Sequence, residues 1–248
     1  MEEHMPVGGA AGPSTPTRPP MPGASEWWRD PQAAQLLATE HWSLLATRSM
    51  SWNEAFSRTS MFLTSLSTAT VALALVGSAA GFGSEFNVFA LIVLSTTLFL
   101  GVATFVRLTQ VNNEDLYWVA GMNRLRGIYT RLEPGIEQEF VTGTTLDVPG
   151  FALSYGAVQV TGGRNALHFF VTTPGVVGMI CAVIAGVVGG LLTLQVAPAM
   201  TSALGVGIVV AVASAVLLVI YERRQTTGYI ARMIRFRGDP EAPPELGA

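Results

Sequence analysis

The sequence predicts an all-α membrane protein with four transmembrane helices in two hairpins and helical stalk extensions on the cytoplasmic side. Three observations predict it. Four uncharged apolar runs, residues 59–82, 86–106, 169–194 and 201–221, are each long enough to cross a hydrocarbon core of about 30 Å as helix. Half of the 248 residues are hydrophobic, 12% are charged and the mean hydropathy is +0.43, too apolar for a soluble chain of this length. All fourteen basic residues are Arg, and none lies within the four runs or in the short connectors 83–85 and 195–200.

The chain divides accordingly into a Pro/Gly-rich tail (1–29), a first hairpin with stalk helices (30–132), an insert (133–168), a second hairpin (169–221) and an Arg-rich tail (222–248). Arg18, Arg29, Arg48 and Arg58 precede the first run, Arg107 to Arg164 lie between the hairpins, and Arg223 to Arg237 follow the last. The positive-inside bias places all three segments, and so both termini, in the cytoplasm of a multi-pass plasma-membrane protein. Residues 1–25 carry six Pro and four Gly without an apolar core, which reads as a disordered tail and not a signal peptide.

Each hairpin carries its own signals. The first run has Ser60, Thr64, Ser67, Val71, Ala74 and Ser78 in alternating steps of four and three, a small, weakly polar stripe suited to packing against another helix or to lining a narrow hydrated path. Pro174 marks the start of the third run and Pro198 the turn before the fourth. In the third run Gly178, Ala182, Gly186 and Gly190 recur every four residues, and the fourth echoes them with Gly207, Ala211 and Ala215. Such faces let helix backbones approach closely, against each other or against another subunit. The two hairpins share a short outer turn and an Arg-rich exit, a weak 2+2 symmetry.

Between the hairpins, Leu108, Val111, Val119, Met122, Leu125, Ile128 and Leu132 fall at helical spacing, and Pro134–Gly135 end the pattern, so the second span continues as a stalk helix. Asp30 and Pro31 form an N-cap and first turn for a helix that feeds into the first span. If the two extend as antiparallel helices, Trp52 lies level with 113–117 and Leu45 with 120–124, and the stalk hides Trp42 and Trp118. Trp118 is eleven residues past Arg107, about 16 Å at helical rise and too far for a headgroup belt. In the insert, Phe151, Leu153 and Tyr155 alternate with Ala152, Ser154 and Gly156, and Val158 and Val160 follow, which predicts a short strand or strand pair between Pro149–Gly150 and Gly162–Gly163, or else a loop covering the stalk. Gly162, Gly163 and Arg164 are a candidate anion-binding turn, and residues 222–237 suit an interfacial helix on anionic lipid.

The same residues exclude much chemistry. Without Lys there is no P-loop lysine or Schiff-base lysine. Cys181 is solitary and mid-span; His4, His41 and His168 are too dispersed for a metal site. No catalytic, metal or cofactor-binding constellation is legible, and the absence of ionisable residues from the spans disfavours ion-coupled transport. The two-hairpin layout of the chain resembles multi-span membrane proteins of GC-rich bacteria, and that of residues 31–132 is similar to the two-span SLATT domains, which implies a membrane effector role. The function expected is a helix-packed scaffold or oligomeric pore with a cytoplasmic interaction stalk. The competing expectation is a small-molecule carrier or lipid-facing enzyme using the Arg residues with Asn112, Asn113, Glu114 and Asp115. Membrane lipid, a second copy and a cytoplasmic protein are the partners expected, with no nucleic acid.

Overall fold

The computed structural model describes residues 30–155, 172–197 and 199–235, which are all-helical with no strand. Its elements are α1 (Pro31–Ala80), α2 (Ser84–Leu132), a short 3-10 helix (Ile136–Glu139), α3 (Val148–Tyr155), α4 (Thr173–Val196) and α5 (Met200–Arg235). α1, α2, α4 and α5 are long and apolar enough to span a membrane, consistent with a multi-pass membrane protein.

Local chemistry sets the ends. Asp30 accepts a hydrogen bond from the Gln32 amide at 2.9 Å, and Pro31 occupies the first turn, where its missing N–H costs nothing. From there α1 meets no Gly or Pro until Gly77, so it runs unbroken for 50 residues, about 75 Å of helix. Gly81, at φ +75°, ends it. The outer turn is therefore residues 81–83, two residues earlier than expected, with the Phe82 ring edge-on to Phe86 at 5.0 Å. α2 stops at Leu132, and Gly135 at φ +110° turns the chain into the insert. α4 begins at Thr173, not at 169, because Thr172 caps it by accepting from the Gly175 amide at 3.2 Å, with Pro174 in the first turn. The second outer turn shortens to 197–199.

One expected element is overturned in its first part, up to Tyr155, while Val158 and Val160 lie outside the described residues. Residues 148–155 form a helix, not a strand, because Asp147 caps them, its carboxylate taking the Gly150 amide at 3.0 Å while Pro149 sits in the first turn. The capping signal Asp-Val-Pro outweighs the alternation that follows it. Trp27, Trp28, Gly162, Gly163 and Arg164 lie outside the described residues, as do the side chains of the tail helix from Tyr229 onward.

The long helices pack against their chain neighbours. α1 packs along α2, α2 along α4 and α4 along α5, with a smaller contact between α2 and α5. The buried core lies where α1, α2 and α4 meet: Phe62, Phe105, Leu108, Val177, Cys181 and Ile184. Gly101 permits that meeting, since a Cβ there would stand 2.5 Å from the Cys181 sulfur and 2.7 Å from the Phe62 ring. On the other side of α4, a Cβ on Gly186 would lie 2.7 Å from the Gly207 carbonyl oxygen and 2.8 Å from the Ala211 Cβ; one on Gly190 would lie 3.2 Å from the Ala203 oxygen. Gly178 faces the Phe105 ring, Ala182 is buried beside it, and Ala215 lines a shallow apolar groove with Gly178 and Leu218. The first-span stripe from Ser60 to Ser78 faces outward along its whole length; within one chain it neither packs nor lines a path.

Replacing Gly186 with Leu drives a side chain into the α5 backbone. The loss expected is about 1–3 kcal/mol or more, read as a lowered melting temperature in detergent without a change in subunit number.

Candidate functional site

Beyond their apolar stretches α1 and α2 continue side by side as a two-helix stalk, and its polar side chains converge on Asp115. Arg48 and Trp52 stand one turn apart on α1 and so face the same way. Both reach Asp115 on α2: Arg48 Nε donates at 2.6 Å, Arg48 Nη2 at 3.1 Å and Trp52 Nε1 at 3.0 Å. From α3 the Tyr155 hydroxyl donates to the other carboxylate oxygen at 2.8 Å. Asp115 is 3% exposed, yet three side chains from two other helices satisfy it. Burial, reinforced by the adjoining carboxylate, holds the Tyr155 phenol well above its ordinary pKa, so it remains a donor.

A second cluster ties the insert to α2. Asn123, fully buried, donates through Nδ2 to the carbonyl oxygens of Thr145 at 3.1 Å and Gly150 at 3.3 Å. Its Oδ1 accepts from the Ser154 hydroxyl at 2.8 Å and from Arg126 at 3.0 Å. Further along, the His41 ring stacks on Tyr129 at 6.0 Å, and Leu44 packs against Gly121. Burial, then the Arg126 charge, depress the His41 pKa.

A third cluster lies at the edge of the apolar stretch. Arg107 grips Glu54 with both ends of its guanidinium, at 3.1 and 2.8 Å, and donates to Glu114 at 2.9 Å, while Arg58 donates to Glu54 at 2.9 Å. Hydrogen bonds from Arg107 and then Arg58 hold the Glu54 carboxyl down at about 2.

The sequence-expected residues are thus distributed unevenly. Trp52 joins the Asp115 cluster and lies level with it, as antiparallel stalk helices require. Trp118 is half-buried, with its indole N–H buried and unpartnered. Trp42 is not hidden in the stalk: it stands 71% exposed, because the α1 face carrying Arg48, Ala55 and Phe62 is the one turned to α2. Asn113, Glu114 and Asp115 do not share a pocket, since Asp115 serves the stalk core, Glu114 binds Arg107 and Asn113 is buried with its Oδ1 unpartnered. Tyr155, Asn123 and Ser154 escaped sequence reasoning as site residues; the Asp-Val-Pro cap was the one signal that could have placed Tyr155 and Ser154 on a helix. Among the described residues no three His, Cys, Asp or Glu side chains cluster as a metal site would require.

Searches against protein-family models, curated proteins and solved structures find no match for this chain.

Two outcomes test the clusters. Asp115→Ala leaves Arg48 and the buried Tyr155 hydroxyl without their partner and should cost roughly 2–4 kcal/mol, whereas Tyr155→Phe, which removes one donor, should cost about 1 kcal/mol; chemical denaturation in detergent measures both. Glu54 titrates near 4.5 when unfolded and about 2 when folded, so its contribution is present above pH 4.5 and lost as pH falls toward 2. Stability measured across that window should fall less steeply for Glu54→Gln than for the unmutated chain.

Proposed function

We propose that the chain is a plasma-membrane scaffold with both termini in the cytoplasm, whose α1–α2 stalk carries the α3 insert as a docking platform for a cytoplasmic protein. The observation behind this reading is how the stalk's buried polar groups are used. Asp115, Asn123 and Arg107 bond to other parts of the stalk and insert, so these groups make a stiff extension of the spans instead of a reaction centre. A scaffold needs that stiffness, because a partner docked on the stalk then bears directly on the membrane-spanning helices. Orientation follows from the fourteen Arg residues, all outside the apolar runs.

A reporter that is active only in the cytoplasm, fused after Thr145, should be active; activity there of an exported reporter instead would sink the orientation. Purified protein in vesicles should pass neither ions nor small solutes, and flux dependent on the protein would replace the scaffold with a pore.

A further inference from the structure

The two hairpins leave the apolar layer with different charge. α2 and α5 run in the same direction, and the Phe105 and Tyr221 rings approach at 6.2 Å, so Arg107 and Arg223 stand about level. On the first hairpin this edge is balanced, because Arg58 and Arg107 are bonded to Glu54 and Glu114. On the second, Arg223 and Arg224 are exposed, and the half-buried Glu222 beside Arg223 offsets only one of them. The other positive charge has no carboxylate partner among the described residues.

Just below these cations lies the groove between α4 and α5, a cavity of about 210 Å³ with Gly178 and Met179 on one wall and Ala215, Val216, Val219 and Ile220 on the other. Met179, Val216 and Ile220 are exposed, so the groove opens away from the core. Arg223 follows Val219 by four residues and Arg224 follows Ile220 by four, which places each cation one turn above a residue of the groove and on its side of the helix. α4 runs the opposite way. Since Gly178 lies against Leu218, the first turn of α4, from Thr173, stands level with Arg223 and brings the positive end of that helix to the same mouth.

We propose that this groove binds one anionic phospholipid of the cytoplasmic leaflet, an acyl chain lying along Gly178, Ala215 and Val219 and the phosphate resting at Arg223 and Arg224. Depth selects a lipid: the groove occupies the last two turns of the apolar run 201–221, so a chain within it lies in the hydrocarbon while its headgroup meets the arginines at the boundary. The lining is apolar and offers a polar ligand nothing, whereas an acyl chain restores the dispersion contacts that an unfilled groove forfeits. A neutral phospholipid fits the groove but leaves the arginine charge uncompensated, and an anionic headgroup meets it. A second copy is the poorer occupant. It crosses the membrane in the same sense, and about a two-fold axis it sets its own Arg223 and Arg224 at the level of these, like charge against like. The scaffold reading supplies only the name of the leaflet. Lipid binding in detergent is measured without regard to orientation, flux or a protein partner, so either proposal can fail alone.

The purified full chain is equilibrated in detergent with equal amounts of phosphatidylglycerol and phosphatidylcholine carrying the same acyl chains, and the lipids that stay bound are counted by native mass spectrometry. A single phosphatidylglycerol per chain should be retained, roughly fivefold over phosphatidylcholine, the preference expected from one uncompensated basic residue at headgroup depth. Arg223→Gln combined with Arg224→Gln should remove that preference. Arg124→Gln combined with Arg131→Gln, which takes the same charge from exposed positions on the stalk, should leave it unchanged. Val216→Trp, which fills the groove from its exposed edge, should abolish retention of both lipids while the melting temperature matches that of the unmutated chain. If that variant does not fold, the two arginine pairs still decide. Equal retention of the two lipids, the same loss of preference from the stalk pair, or undiminished retention by folded Val216→Trp would each overturn the proposal.

Discussion

The two hairpins are joined where α2 lies against α4, and that contact depends on the missing side chain of Gly101. With hydrogen at that position, the Cys181 sulfur and the Phe62 ring close over the α2 backbone, and three helices share one core. A side chain there would push α1 and α4 away together. In lipid the hydrophobic effect does not drive helices together, so close packing must supply the attraction, and close packing requires small residues at the crossing points. The Gly186–Gly207 approach repeats the device between α4 and α5.

Outside the apolar stretch the physics changes, and so does the means of attachment. Water competes for every hydrogen bond, and the stalk answers with charge-assisted bonds shielded from it. Asp115 collects Arg48, Trp52 and Tyr155 at one buried point, and Arg107 locks Glu54 where the helices leave the apolar layer. A buried carboxylate gives specificity more than net stability. Here the specificity is register: with Asp115 in place, α1 and α2 cannot slide past each other by a turn without stranding a charge. The insert is held by the same logic through Asn123, whose amide bonds the backbone carbonyl oxygens of Thr145 and Gly150.

This division of labour leaves the outward sides of α1 and α5 without partners inside the chain. For α5, where Val209, Val212 and Leu217 are exposed, lipid is a sufficient neighbour. On α1, Trp42 and Met50 stand exposed on the stalk, before the apolar run at 59–82 begins.

The sequence by itself determined the four spans, their pairing into hairpins, the cap at Asp30, the stop at Pro134–Gly135 and the continuation of the spans into a stalk. Those features are governed by local rules: length against lipid thickness, helical period, and the backbone limits of Pro and Gly. Level pairing of the stalk helices was also legible, because a three-residue turn leaves antiparallel helices little freedom. Only the tertiary structure decided which way each side of a helix turns. A 50-residue helix with weak amphipathicity does not reveal whether Trp42 or Trp52 meets α2; that was settled by Arg48 and Trp52 finding Asp115, a pairing across more than sixty residues of sequence. The helix at 148–155 was missed because alternation and capping gave opposite readings over eight residues, and capping prevailed. The Asp115 cluster was only partly legible for the same reason: its members are ordinary residues one by one, and become a site through distances that no spacing along the chain encodes.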